Sequence, residues 1–197
     1  MTRLGVLGGT FDPIHIGHLI LGEAAREQLD LDRVLFVPTG QPWRKAGRDI
    51  SPARDRLAMV QLAIEGNPAF EASSIETERE GPSYSHETLE ILANDNPGAA
   101  LYLILGADAL VDLPHWRSPE RIVELATLAV ASRTDGGGGD QSEAALAGFQ
   151  ARVLKLSMPE IGISASVIRE RVAHGKSVRY LVSPGVAAYI KECSLYR

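Results

Sequence analysis

The chain has 197 residues, 45% of them hydrophobic, and a formal net charge of −5 with acids and bases interspersed. That length is most simply one domain over residues 1–197, large enough to bury about 70% of the unfolded surface. The acidic balance argues against non-specific nucleic-acid binding, which needs a basic face. The lone Cys193 excludes an internal disulfide or a cysteine-built zinc site, and no apolar run reaches membrane-spanning length. The N-terminus runs straight into "RLGVLGG", with no secretory leader pattern, so the cytoplasm is the expected location.

In chain order, "LGVLG" (4–8) reads as a buried strand and His18 to about Leu29 as a helix. "VLFVP" (34–38) predicts a second strand, and "PARDRLAMVQLAIEG" (52–66) an amphipathic helix. "FEASSIE" (70–76) reads as a strand, followed by a helix at 85–95 and a strong buried strand over "ALYLILGAD" (100–108). A helix at 118–126 and a strand at 127–133 precede the polar, glycine-rich "TDGGGGDQSE" loop. "ARVLKLSM" (151–158) offers a last strand, with helices from about Ser166 and Ser183 forming a C-terminal helical segment. The alternation predicts an α/β fold, a Rossmann-like parallel sheet with helices on both faces. No internal repeat or second domain is visible.

"GVLGGTFDPIHIGH" sets two glycines at a strand end and opens a helix near His18. Glycines let backbone approach a ligand closely, and amides at a helix N-terminus point at an anion. The dinucleotide fingerprint G-x-G-x-x-G is absent from 5–17. A P-loop is absent too, because Glu170 stands five residues before Gly175-Lys176-Ser177. His15 and His18 could in isolation be metal ligands or plain helix-start residues. Beside a glycine turn with no further ligands at hand, phosphate contact is the reading favoured by local physics.

"GGTFDPIHIGH" resembles the [HT]-x-G-H nucleotidyltransferase signature, and the chain as a whole resembles the bacterial nicotinate-nucleotide adenylyltransferases. The likeness runs from Gly5 to about Ile190. It includes "FVPTGQPWRK" (36–45), "GPSYSHETL" (81–89), "LILGADALVDLPHW" (103–116), "ISASVIRERV" (163–172) and "RYLVSPGVAAYI" (179–190) in the family's order. The class I aminoacyl-tRNA synthetases share the His-Ile-Gly-His signature, but "KLSM" (155–158) does not supply their lysine-rich second motif.

The resemblance implies transfer of the adenylyl group of ATP to nicotinate mononucleotide, giving deamido-NAD and pyrophosphate. It places Gly8, Gly9, Thr10 and Phe11 along the nucleotide and makes His15, His18 and Arg169 the catalytic set. Ser164 and Ser166 join Arg169 at the triphosphate, Gly106 and Asp108 meet the ribose, and Arg133 lies along the adenylyl group. On the acceptor side, Trp116 stacks on the nicotinate ring, Tyr84 and Ser85 read its carboxylate, and Arg44 and Lys45 meet the acceptor phosphate. Mg²⁺ is expected to arrive on ATP, held by phosphate oxygens and water, with no protein metal site. No nucleic-acid or membrane partner is expected, and monomer and homodimer both stay open.

Departures from the family pattern are modest. Pro42-Trp43-Arg44-Lys45 replaces Pro-Pro-His-Lys, Ser85 and Glu87 stand for Thr and Asp, and Ala165 and Ser166 stand for Ser and Thr. Three other readings are a phosphopantetheine adenylyltransferase, which resembles this chain less at His15 and at 81–89, a nicotinamide-mononucleotide preference, and a non-catalytic nucleotide sensor.

Overall fold

The structure, a computed structural model, describes residues 1–41, 50–132 and 148–197. Strands β1 (Arg3–Gly9), β2 (Arg33–Pro38), β3 (Phe70–Ala72), β4 (Ala100–Leu105), β5 (Ala126–Ser132) and β6 (Val153–Ser157) form one sheet. All five neighbouring pairs are parallel, in the order β3-β2-β1-β4-β5-β6. The helices are α1 (Ile16–Gln28), α2 (Ala53–Ile64), α3 (Ser85–Asp95), α4 (Ala107–Asp112), α5 (Pro119–Leu125), α6 (Ala165–Ala173) and α7 (Pro184–Glu192).

The near-continuous aliphatic strands are buried on both sides, and successive side chains divide between two cores. In β4, Leu101, Leu103 and Leu105 enter one core with Leu89 of α3, Leu110 of α4 and Ile122 of α5. Tyr102 and Ile104 enter the other, with Leu21 of α1, Met59 of α2, Ile168 of α6 and Val186 of α7. Each fully buried aliphatic side chain is worth roughly 1.5–3 kcal/mol of transfer free energy. Gly5 lets α1's following turn approach the sheet. A Cβ there would lie 2.8 Å from Leu31 Cδ1 and 3.0 Å from Ile104 Cδ1.

Three predicted boundaries move. The first helix begins at Ile16, so His15 is its N-cap and both histidines belong to its first turn. The strand predicted at 70–76 ends at Ala72, because Ser73 and Ser74 turn the chain through bonds to the Ile75 amide and the Thr77 hydroxyl. The strand predicted at 100–108 ends at Leu105, where Gly106 caps α4; Asp108 therefore lies in a helix's first turn. The sheet reverses its order between β1 and β4, and ligands of open α/β sheets bind beyond the strand ends at such a switch point. Gly8 and Gly106 sit at those two strand ends, and a Cβ at either would meet nothing within 4 Å.

Candidate active site

Beyond the end of β1 the chain turns sharply at Thr10 and Phe11. Phe11 is buried yet has φ +49°, a conformation non-glycine residues seldom hold without surrounding constraint. The constraint is visible. The Arg56 guanidinium donates to the Thr10 carbonyl at 2.8 Å, and Arg169 Nη1 donates to the Asp12 carbonyl at 2.7 Å. Tyr196 Oη donates to Asp12 Oδ1 at 2.6 Å. The turn is thus tied to α2, α6 and the C-terminal tail.

His15 and His18 stack with ring centroids 3.7 Å apart, and the His18 ring meets the Phe11 ring edge-on at 5.0 Å. The His15 amide donates to His18 Nδ1 at 3.1 Å while the His18 amide donates to the His15 carbonyl at 2.9 Å. With Nδ1 accepting, a neutral His18 ring carries its proton on Nε2, which makes that nitrogen a donor. Two imidazoles this close disfavour carrying charge together. Burial pushes the His15 pKa down to about 4, so its ring is neutral near pH 7. Its buried Nδ1 has no hydrogen-bond partner among the described residues. The glycine between the histidines is explained by the same ring: a Cβ on Gly17 would press on His15 Nδ1 at 3.1 Å.

Facing this pair is the start of α6. Ser164 caps it, its Oγ accepting from the Val167 amide at 3.3 Å, while Arg169 Nη2 donates to Ser166 Oγ at 3.2 Å. Thr10, Phe11, Asp12, His15 and His18 line one side of a cleft of ≈ 270 Å³, with Ser164, Ser166 and Arg169 on the other. Two helix N-termini and a guanidinium converging on one cleft make a site for a polyanion.

The ring-binding candidates lie elsewhere along the same sheet edge. Tyr84 caps α3, which receives no side-chain cap bond, and Ser85 is that helix's first residue. Trp116 ends the short 3₁₀ turn Leu113–His115, packs partly against the core that holds Leu89, Leu110 and Ile122, and donates Nε1–H to Asp112 Oδ2 at 3.2 Å. Its neighbour Arg117 places its guanidinium 6.0 Å from the Tyr84 ring centre, so the 84 and 116 segments adjoin. Gln41 bridges Pro82, and the Gly40 amide donates to Ser83 Oγ at 3.0 Å, joining the end of β2 to the same region. Asp108 is exposed on α4 beside Gly106. Arg44, Lys45 and Arg133 lie outside the described residues, as do Trp43 and the 134–142 loop.

Sequence reasoning missed Asp12, Arg56 and Tyr196. For Arg56 a signal existed: it shares a helical face with Met59, Val60 and Ile64 at spacings of three, four and eight, and all four are buried. An arginine on an apolar stripe demands partners. Nothing local marks Tyr196, whose bond spans 184 positions.

Residues 6–171 match the cytidylyltransferase-like family. A "Probable nicotinate-nucleotide adenylyltransferase" of Dehalococcoides mccartyi is 47% identical, over 98% of this chain and 97% of its own. One from Thermomicrobium roseum is 48% identical, over 100% and 92%. Among solved structures, Plasmodium falciparum nicotinic acid mononucleotide adenylyltransferase complexed with NaAD superposes with a TM-score of 0.81. That match is at 18% identity and covers 100% of this chain and 98% of that one, a likeness of fold. With full-length identity of this order, the chain belongs to the nicotinate-nucleotide adenylyltransferase family, within the cytidylyltransferase-like nucleotidyltransferases.

Proposed function

We propose that this enzyme transfers the adenylyl group of ATP to nicotinate mononucleotide, forming deamido-NAD (nicotinate adenine dinucleotide) and pyrophosphate. The observation that carries this reading is the cleft between the two histidines and Arg169, in a chain with close full-length relatives of that name. An oxygen of the acceptor's 5′-phosphate attacks the α-phosphorus of ATP, and the bond to the bridging oxygen breaks as pyrophosphate leaves. The attacking oxygen is already anionic at neutral pH, so the reaction needs alignment and charge stabilisation rather than a side-chain base.

His18 offers an Nε2–H donor to the phosphates in the tautomer set by the His15 amide. His15 lines the same cleft, its ring stacked on that of His18, and Arg169 reaches the departing β- and γ-phosphates with its fork. Gly8, Gly9, Thr10 and Phe11 carry the adenosine along the strand end, and Gly106 with Asp108 faces the ribose hydroxyls. Mg²⁺ brought in on ATP would offset part of the triphosphate charge. An ion bound in this way would be held by phosphate oxygens and water.

On the acceptor side, Trp116 stacks on the nicotinate ring while the start of α3, at Tyr84 and Ser85, offers backbone N–H donors to its carboxylate. Amide donors favour a carboxylate over a carboxamide, and this supports nicotinate over nicotinamide. Arg44 and Lys45 are proposed for the acceptor phosphate and Arg133 for the adenylyl group. We read the chain as one cytoplasmic domain, monomeric or homodimeric, acting on small molecules without nucleic acid. Among the described residues no helix is long and apolar enough to cross a membrane. Incubation with ATP, Mg²⁺ and nicotinate mononucleotide, followed by mass spectrometry, should yield deamido-NAD; folded protein that binds ATP and makes no dinucleotide would be a sensor instead.

A further inference from the structure

Arg56 is 1% exposed, on the face of α2 that enters the core. Its guanidinium spends its donors on backbone alone: Nη1 to the Thr10 carbonyl at 2.8 Å, Nη2 to the Gly40 carbonyl at 2.9 Å and Nε to the Ser51 carbonyl at 2.9 Å. These carbonyls belong to three separate pieces of chain. Thr10 is in the turn assigned to ATP. Gly40 follows β2 and leads into the segment proposed for the acceptor phosphate, and Ser51 lies just after that segment.

Two of the anchor points, Gly40 and Ser51, are also fixed from a second direction. The Gly40 amide donates to Ser83 Oγ, and a Cβ on Gly40 would collide with the Glu76 carbonyl. The Ser51 amide approaches Asp12 Oδ2 at 3.4 Å, and Asp12 is also held by Tyr196 and Arg169. A buried guanidinium is costly to desolvate, and an apolar residue on this stripe would fill the helix–sheet interface at less expense. What the apolar residue could not do is hold three carbonyls from different segments in one plane.

We infer that Arg56 is a positioning residue that fixes the ATP turn and both ends of the acceptor segment in a single frame. It aligns donor and acceptor phosphates without touching either. The inference rests on the function proposed above. Misplacement of reacting groups by about 1 Å through a remote change can cost about 10²-fold in rate. Lysine keeps the charge but presents a compact ammonium in place of a planar fork, so it cannot reach all three carbonyls.

The test compares Arg56→Lys and Arg56→Gln with the parent and with Ile122→Ala, a cavity in the opposite core. Each is assayed by steady-state kinetics well below its melting temperature, with active sites counted by calorimetric ATP titration. The expected result is a kcat lowered about 10²-fold in both Arg56 variants, with KM for either substrate and the ATP affinity moved less than about threefold. Ile122→Ala should lose thermal stability and keep its kcat. A kcat within about threefold of the parent, rescue by lysine, a loss confined to one KM, or failure of both variants to fold would each overturn the assignment. A parent that makes no dinucleotide would instead sink the proposed function.

Discussion

The two ends of the proposed site, phosphate and ring, are built differently. The phosphate end is made of buried, cross-tied groups: Phe11, Asp12 and His15 are out of solvent, and two arginines grip the turn between them. The ring end is made of half-exposed side chains, Tyr84, Ser85 and Trp116, with the exposed Arg117 over Tyr84. Transfer chemistry needs fixed donors at the point where charge moves, and the residues proposed for it are the buried, cross-tied ones. Acceptor choice needs only a surface of the right shape and polarity, which can vary without endangering the core. Substitutions should therefore separate cleanly: phosphate-end changes act on turnover or ATP, and ring-end changes act on the acceptor alone.

The largest separation is expected at His18. Removing one preorganised donor at a site of developing charge costs about 10²–10³ in kcat, and His18→Ala should do so while circular dichroism stays that of the parent. Near-normal turnover would show that the stacked pair is merely a helix start. Next comes Arg169. A hydrogen bond to a charged group is worth about 1.5–3 kcal/mol, so Arg169→Ala should raise KM for ATP about tenfold or more. An unchanged value would remove the α6 side of the cleft from the triphosphate.

A ring-end change should be milder. Aromatic stacking contributes about 0.5–1.5 kcal/mol beyond area burial, so Trp116→Ala should raise KM for nicotinate mononucleotide severalfold and leave KM for ATP in place. A shift in the ATP value would mean that the two ends are not independent.

A separate effect, on stability and with none expected on turnover at neutral pH, belongs to the titration of His15. Its folded pKa of about 4 lies below the ordinary 6.5. Between those values the unfolded chain binds a proton that the folded chain refuses, so stability is lost as pH falls from 6.5 towards 4 and is unaffected by this group above that window. Urea midpoints measured at pH 7 and pH 4.5 should fall less for His15→Gln than for the parent. An equal fall in both would place the acid sensitivity in other groups.

The division between the two ends also governs what could be read beforehand. Parallel strands such as "ALYLIL" announce themselves because burial on both faces leaves little room for polar residues, and Ser183 marks the start of α7 by cap chemistry; α6 is predicted from about Ser166, whereas Ser164 is its cap. The strand predicted at 100–108 ran too long because glycine and aspartate serve a strand end and a helix start equally well; packing of Leu110 decided for the helix. The histidine pair was legible as a motif, but the Nδ1 contact that sets the His18 tautomer was not. The bonds from Arg56 to Thr10 and from Tyr196 to Asp12 join positions far apart in the chain, and no local pattern encodes such a meeting.

The most direct measurement is pyrophosphate release from ATP and Mg²⁺ with nicotinate mononucleotide, nicotinamide mononucleotide and phosphopantetheine in parallel, each product identified by mass. Release with the first acceptor, far above the other two and yielding deamido-NAD, is the predicted result. Release with another acceptor and little with nicotinate mononucleotide would contradict the reading of the ring end while sparing the phosphate end. Silence with all three, from folded protein that binds ATP, would contradict the account as a whole.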